Sequence, residues 1–328
     1  MIRCLYLKPG EGLRVGLSRD EIEAAVQAAD GVLWVDIIDA QQKETEPLLL
    51  DIFGFHPLAV DDALYEDHVP KVDDWGTYIY LALHAAAEQV PGEELAETIE
   101  LDVFLGKQYL VTYHPVSIKA LERLWVACQR DPRYLEKGVD NLLYHVTDEM
   151  ADDYMQLIDE IDDEMEDVED QIFVEPKPAS LEEIIRIKRM LLGMRRIIAP
   201  QREVLNKLAR GDYAMIGASE RIFFRDVYDH YVRIHDIIES LRDLISSTLD
   251  MYLSVVNNRM NDVMKTLTVI TTLFMPISFL TGFFGMNFFQ PAFASAGWTD
   301  KLVFYGVLFI MVTLPMVMLL WMRRRSWM

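Results

Sequence analysis

The sequence predicts an α+β domain that hands over to one very long stalk helix and then to two membrane-crossing helices. Three observations carry this reading. Up to about residue 135, short runs rich in β-branched and aromatic residues alternate with helical stretches, whereas from Asp140 the apolar pattern has the helical period. From Ser219 to Phe284 there is no glycine before Gly282 and only one proline, Pro276, which a membrane-embedded helix tolerates. Finally, residues 267–284 and 302–322 are uncharged runs of eighteen and twenty-one residues, close to the length that spans a hydrocarbon core.

Taken in order, the first 135 residues hold four candidate strands, at 32–38, 77–84, 98–105 and 108–113, with helices at 18–29 and 45–53 between them. Gly106-Lys107, between two apolar runs, reads as a hairpin turn. This region has no glycine-rich phosphate loop, nucleophile elbow or paired-cysteine motif, so no catalytic residue is assigned and an enzyme is not expected. His56, His84 and His114 lie beside apolar runs and read as structural. Cys4 and Cys128 fit neither a disulfide framework nor a metal spacing, and a reducing compartment is the default. Residues 1–10 lack the apolar core of a secretory signal, so the first two thirds of the chain is expected in the cytoplasm.

Residues 136–215 read as a helical hairpin. Between Asp148 and Glu175 there are fourteen acidic residues and no Lys or Arg; after Pro176 and Pro178 comes a basic partner carrying Arg186, Lys188, Arg189, Arg195 and Arg196. The acidic run is either a solvated face or a helix pair that concentrates cations. The formal charge of −22 over 328 residues favours cations and argues against nucleic acid as a partner.

The long helix, 216–284, would measure roughly 100 Å at its axial rise and carries two stripes. An apolar seam runs through Val227, Tyr231, Ile234, Ile238, Leu241, Ile245, Tyr252 and Val255, the spacing that associates helices around an axis. A polar or small stripe runs through Asp229, Asp236, Asp243, Asp250, Asn257, Asn261, Met264, Thr268, Thr271, Met275, Ser278 and Gly282. In the span, about 267–284, hydroxyls on one face suggest a surface turned away from lipid. Packing of small residues on a neighbouring helix is the other reading. The second span, 302–322, is followed by the basic tail 323–328 with Arg323-Arg324-Arg325; with Lys265 before the first span, this puts both termini in the cytoplasm and the loop 285–301 outside. Two spans cannot enclose a path for a hydrated ion, so a conducting chain must form a closed oligomer.

These residues carry a resemblance. Residues 224–230 (Phe-Arg-Asp-Val-Tyr-Asp-His) and 249–254 (Leu-Asp-Met-Tyr-Leu-Ser), then Met264-Lys265, Phe274-Met275-Pro276 and Gly285-Met286-Asn287-Phe288, are similar to the CorA family of divalent-cation channels in the Gly-Met-Asn superfamily. Weaker similarity at residues 56–62 and 109–115 extends it over most of the chain. The resemblance implies a funnel-shaped homopentamer in the inner membrane, with the long helices lining a central pore and the second spans outside them. It places selectivity at Gly285, Met286 and Asn287. Further rings are implied at Ser278, Met275, Thr271, Thr268, Leu267, Met264, Asn261 and Asp250. It also implies regulation by intracellular magnesium at Asp226, with Glu88 or its neighbour Gln89 as the partner across a subunit boundary.

The chemistry suits magnesium, which dehydrates reluctantly and is recognised through its water shell by neutral oxygens such as the Asn287 amide. Met264, Leu267 and Met275 supply apolar constrictions able to gate by dewetting. Cobalt, nickel or zinc remain candidate ions, because residues 288–299 lack the acidic residues that many relatives carry there, Asp300 being the first. A zinc transporter of the same superfamily and a non-conducting, membrane-tethered cation sensor or scaffold are the alternatives.

Overall fold

The computed structural model describes residues 1–40, 42–87, 98–286 and 301–325. These divide into two compact units, Met1–Leu249 and Asp250–Met328.

A seven-stranded mixed sheet organises the first unit. Its strands are β1 (Ile2–Lys8), β2 (Gly12–Val15), β3 (Val32–Ile38), β4 (Lys71–Asp74), β5 (Ile79–Ala86), β6 (Thr98–Leu105) and β7 (Tyr109–His114). Their spatial order is β2-β1-β3-β7-β6-β5-β4, antiparallel throughout except for the parallel pair β3 and β7. The strand expected at 98–105 has those bounds, and that at 32–38 likewise; β1, β2 and β4 were not expected. β1 is masked by Arg3 and Cys4, and β2 and β4 have four residues each, too few to show a period. Between β6 and β7 the turn needs glycine: a Cβ on Gly106 would lie 2.3 Å from the Tyr109 ring.

The period of two along β3 sorts its side chains to two layers. Leu33, Val35 and Ile37 join a core under three helices. These are α1 (Arg19–Ala28), opened by a Ser18/Glu21 capping box, α2 (Gln42–Pro47), which runs on into a π-helical turn at Leu48–Ile52, and α3 (Pro57–Tyr65). There Phe55 stacks on Phe104 at 4.3 Å. Trp34 and Asp36 point the other way: Trp34 meets Trp125 of α4 (Lys119–Arg130) at 5.1 Å, and Asp36, fully buried, is neutralised by Arg3 at 2.8 Å and lies 3.1 Å from His114 Nε2. His114 is therefore a structural partner of a buried carboxylate. His56 caps α3 through Nδ1.

After the short α5 (Arg133–Glu136) come α6 (Val139–Val174) and α7 (Pro178–Arg210), with proline at the first position of α7 and Gly211 in the left-handed region just past its end. These helices are fastened to the sheet through a buried amide. Gln201 Oε1 accepts from the His84 backbone N–H at 2.8 Å, and its Nε2 donates to the His84 carbonyl at 3.1 Å and to the Tyr231 hydroxyl at 2.7 Å; Tyr154 also donates to that carbonyl. The hairpin expected at 136–215 is thus packed into the same unit as the sheet. Its helices face each other through apolar residues such as Ile161, Met165, Ile187 and Met194, all buried. Among the described residues one ion pair, Arg186 with Glu164, joins the acidic helix to the basic one.

The helix α8 (Arg221–Gly285) is continuous over 65 residues with Pro276 inside it, and α9 (Lys301–Arg324) follows. Both are long and apolar enough to cross a membrane.

Candidate ion-path helix and carboxylate cluster

Within the first unit, α8 buries one face and exposes another. Phe224, Val227, Tyr231, Ile234, Ile238, Leu241 and Ile245 are buried, and Thr248 continues the line by donating to Glu169 of α6. The apolar seam is therefore spent inside the chain. Sequence alone assigned it to association between copies, since periodicity identifies a packing face and not its partner. Asp226, Asp229, Asp236 and Asp243 lie on the exposed side.

In the second unit Asp250, Asn257, Asn261, Met264, Leu267, Thr268, Thr271, Met275, Ser278, Gly282, Gly285 and Met286 are all exposed. Exposure does not sort faces there, because the most apolar stretch of the helix has no buried residue. Angular position does: at about 100° per residue the residues from Asp250 to Gly285 fall within roughly 120° of arc. The hydroxyls of Thr268 and Thr271 donate to the carbonyls of Met264 and Leu267 at 2.7 and 2.8 Å. Thr266 and Thr281, off the stripe, do the same. Back-bonding of this kind satisfies a hydroxyl in any apolar setting. Asn287 and Glu88, with Gln89, lie outside the described residues.

Around Asp226 the structure gathers groups that the sequence did not connect. Across from α8, Asp148 of α6 stands 3.5 Å from the Nδ1 of His230 and accepts from the Tyr144 hydroxyl at 3.3 Å. Burial pushes the Asp148 carboxyl above its ordinary range, and the charges of Asp152 and Asp226 push it further. Among the described residues no ion pair joins Asp226 to Arg221 or Arg225. Like charges held together in this way favour either a proton or a bound cation. Asp148 and His230 were not paired, because their meeting depends on the register between α6 and α8; the acidic run containing Asp148 and the 224–230 motif ending at His230 were the signals.

Comparison with known proteins gives a consistent picture. The family described as CorA-like Mg2+ transporter protein matches residues 29–324. A putative metal ion transporter of Bacillus subtilis, YfjQ, is 33% identical over 93% of each chain. The cobalt/magnesium transport protein CorA of Thermotoga maritima is 32% identical, over 90% of this chain and 83% of its own. In fold, the complete structure of the CorA magnesium transporter from Methanocaldococcus jannaschii superposes with a TM-score of 0.82, covering 99% of this chain and 98% of that one at 24% identity.

Proposed function

Because this chain belongs to the CorA family, we propose that it is a divalent-cation channel that carries magnesium, and also cobalt or nickel, across the inner membrane. Five copies surround a pore lined by α8, with α9 outside, and both termini lie in the cytoplasm. The observation that carries this reading is the polar and small stripe of α8, which keeps to one side of an unbroken helix from Asp250 through the uncharged span to Gly285. Five copies turn each position into a ring. Asn257 and Asn261 offer neutral oxygens to a hydrated ion, Met264, Leu267 and Met275 form apolar constrictions, and Thr268, Thr271 and Ser278 supply hydroxyls between them. Gly285, Met286 and Asn287 form the external mouth, where the amide of Asn287 accepts from the ion's water shell without stripping it.

Regulation follows from the cluster around Asp226. When cytoplasmic magnesium is low, the carboxylates of Asp226, Asp148 and Asp152, together with Glu88 of a neighbouring copy, repel; a bound magnesium ion bridges them and favours the closed ring. Magnesium is thus both cargo and regulator.

The test is flux of magnesium into liposomes holding the purified protein, with Asn287→Ala as the diagnostic variant. Transport by the wild type and its loss in an Asn287→Ala protein of unchanged oligomeric mass support the reading. Wild-type uptake in that variant overturns the assignment of the mouth, and no flux in the wild type overturns conduction itself.

A further inference from the structure

We propose that Asp62, Glu66 and His68 form a binding site for a borderline transition-metal dication of the zinc or cobalt class, separate from the magnesium path and from the Asp226 cluster. Asp62 and Glu66 are four residues apart, from α3 to just past its end, and His68 lies in the segment that leads to β4. One potential ligand atom from each residue lies within 4.8 Å of the other two.

The geometry of His68 distinguishes a metal site from an ion pair. Its Nε2 stands 3.8 Å from Asp62 Oδ1 and 3.6 Å from Glu66 Oε2. An imidazolium paired with a carboxylate closes to about 2.8 Å. Ligands arranged tetrahedrally around zinc, at about 2.0–2.1 Å from it, lie about 3.3 Å apart, so a gap of this size fits an ion between the atoms. Glu66, with its side chain 69% exposed, can move toward the ring, whereas the 3.8 Å between His68 and Asp62 has to shorten by a small turn of the Asp62 carboxylate. On the other side of the ring, Nδ1 is buried without a hydrogen-bond partner, and the nearest carboxylate oxygen is Glu100 Oε1 at 3.6 Å.

Each neighbour has a role that this arrangement explains. A histidine bound to metal through one nitrogen typically offers its other N–H to a carboxylate, which fixes the tautomer and strengthens the ligand; Glu100 stands where that carboxylate is needed. Glu100 also anchors the His68 backbone N–H with both oxygens, at 3.1 and 2.9 Å. Lys71 holds Oδ2 of Asp62, leaving Oδ1 turned to His68. The side chain of His68 is only 15% exposed, so in this position the ring meets little water. Imidazole with carboxylates suits zinc, cobalt or nickel, whereas magnesium prefers six oxygens and keeps its waters.

The experiment titrates the full-length protein in detergent, stripped with chelator and kept in excess magnesium, with cobalt as the spectroscopic probe. The expected result is visible absorption typical of nitrogen-ligated cobalt of low coordination number, saturating near one cobalt per chain and bleached by equimolar zinc. His68→Gln should abolish it, Glu100→Gln should weaken cobalt binding about 10- to 100-fold, and Asp226→Asn should leave it unchanged. Should His68→Gln fail to fold, Glu66→Gln, altering an exposed side chain, must lower the affinity at least about tenfold. Absence of the band in the wild type, or its persistence in His68→Gln or Glu66→Gln, overturns the proposal and leaves an ion-pair cluster only.

Discussion

Replacing Glu100 with glutamine should flatten the dependence of stability on pH. Glu100 is 7% exposed, and burial pushes its carboxyl from 4.5 to about 7, the two bonds from the His68 N–H opposing this and the charge of Asp67 adding to it. A carboxyl with a raised folded pKa binds its proton more tightly in the folded state. Its contribution is therefore fully present below the unfolded value near 4.5 and is lost as pH rises through about 7. At about 1.4 kcal/mol per pH unit, the loss over that window is about 3 kcal/mol. Glutamine keeps an oxygen for the His68 N–H but has no proton to lose. Urea midpoints of the chelator-treated protein, followed by the fluorescence of buried Trp34 and Trp125, should fall between about pH 5 and about pH 8 by clearly more in the wild type than in Glu100→Gln. Asp102, whose carboxyl is pushed up by burial and further by the charge of Glu100, adds a fall to both proteins; removing the Glu100 charge makes that fall smaller in the variant, so it acts in the same direction as the main effect. Equal falls in the two proteins would refute the reasoning.

Gln201→Met strips the His84 N–H and the Tyr231 hydroxyl of a buried partner, a cost on the order of 3 kcal/mol, so the melting temperature should drop by about 6–12 °C; a drop under about 2 °C counts against the amide as a fastening. In Asp226→Asn or Asp226→Lys, the internal magnesium concentration that halves flux should rise at least about tenfold, a change of about 1.4 kcal/mol in binding; wild-type inhibition in both variants removes Asp226 as the sensor. Light scattering of the detergent-solubilised protein should give about five times the monomer mass after detergent is subtracted, and a clean monomer or dimer contradicts the pore.

Legibility followed the range of the forces involved. The strand at Val32–Ile38 and the long helix could be read because their signals are local: β-branched residues in a short run, and the absence of helix breakers over many turns. Local signals failed where partners decide. β1 pairs with β3 through Leu5 opposite Trp34, yet Arg3, which neutralises Asp36, makes the strand look like a polar leader. The seam of α8 was correctly identified as apolar and misassigned to other copies, because seven residues of period say nothing about what packs against them. At the candidate site, Asp226 and His230 lie four residues apart in one motif on α8, whereas Asp148 joins them only when α6 and α8 are packed. His68 has a trace in sequence, an Asp and a Glu four apart followed by a His two further on, but that spacing is common on solvated helices, and only the buried ring separates the cases.

The bond between Gln201 and His84 also bears on how copies of this chain can meet. β4 pairs with β5 only as far as Lys71 opposite Ala82, so among the described residues the last part of β5 has no strand on that side. An amide side chain occupies the place, taking up both the N–H and the carbonyl of His84 as a neighbouring backbone would. The opposite edge is β2, four residues long. Short edge strands and an edge closed by a side chain leave little template for an incoming strand. Strand-to-strand pairing between copies is therefore disfavoured, and loss of the Gln201 amide opens an unpaired backbone to aggregation as well as loosening α7.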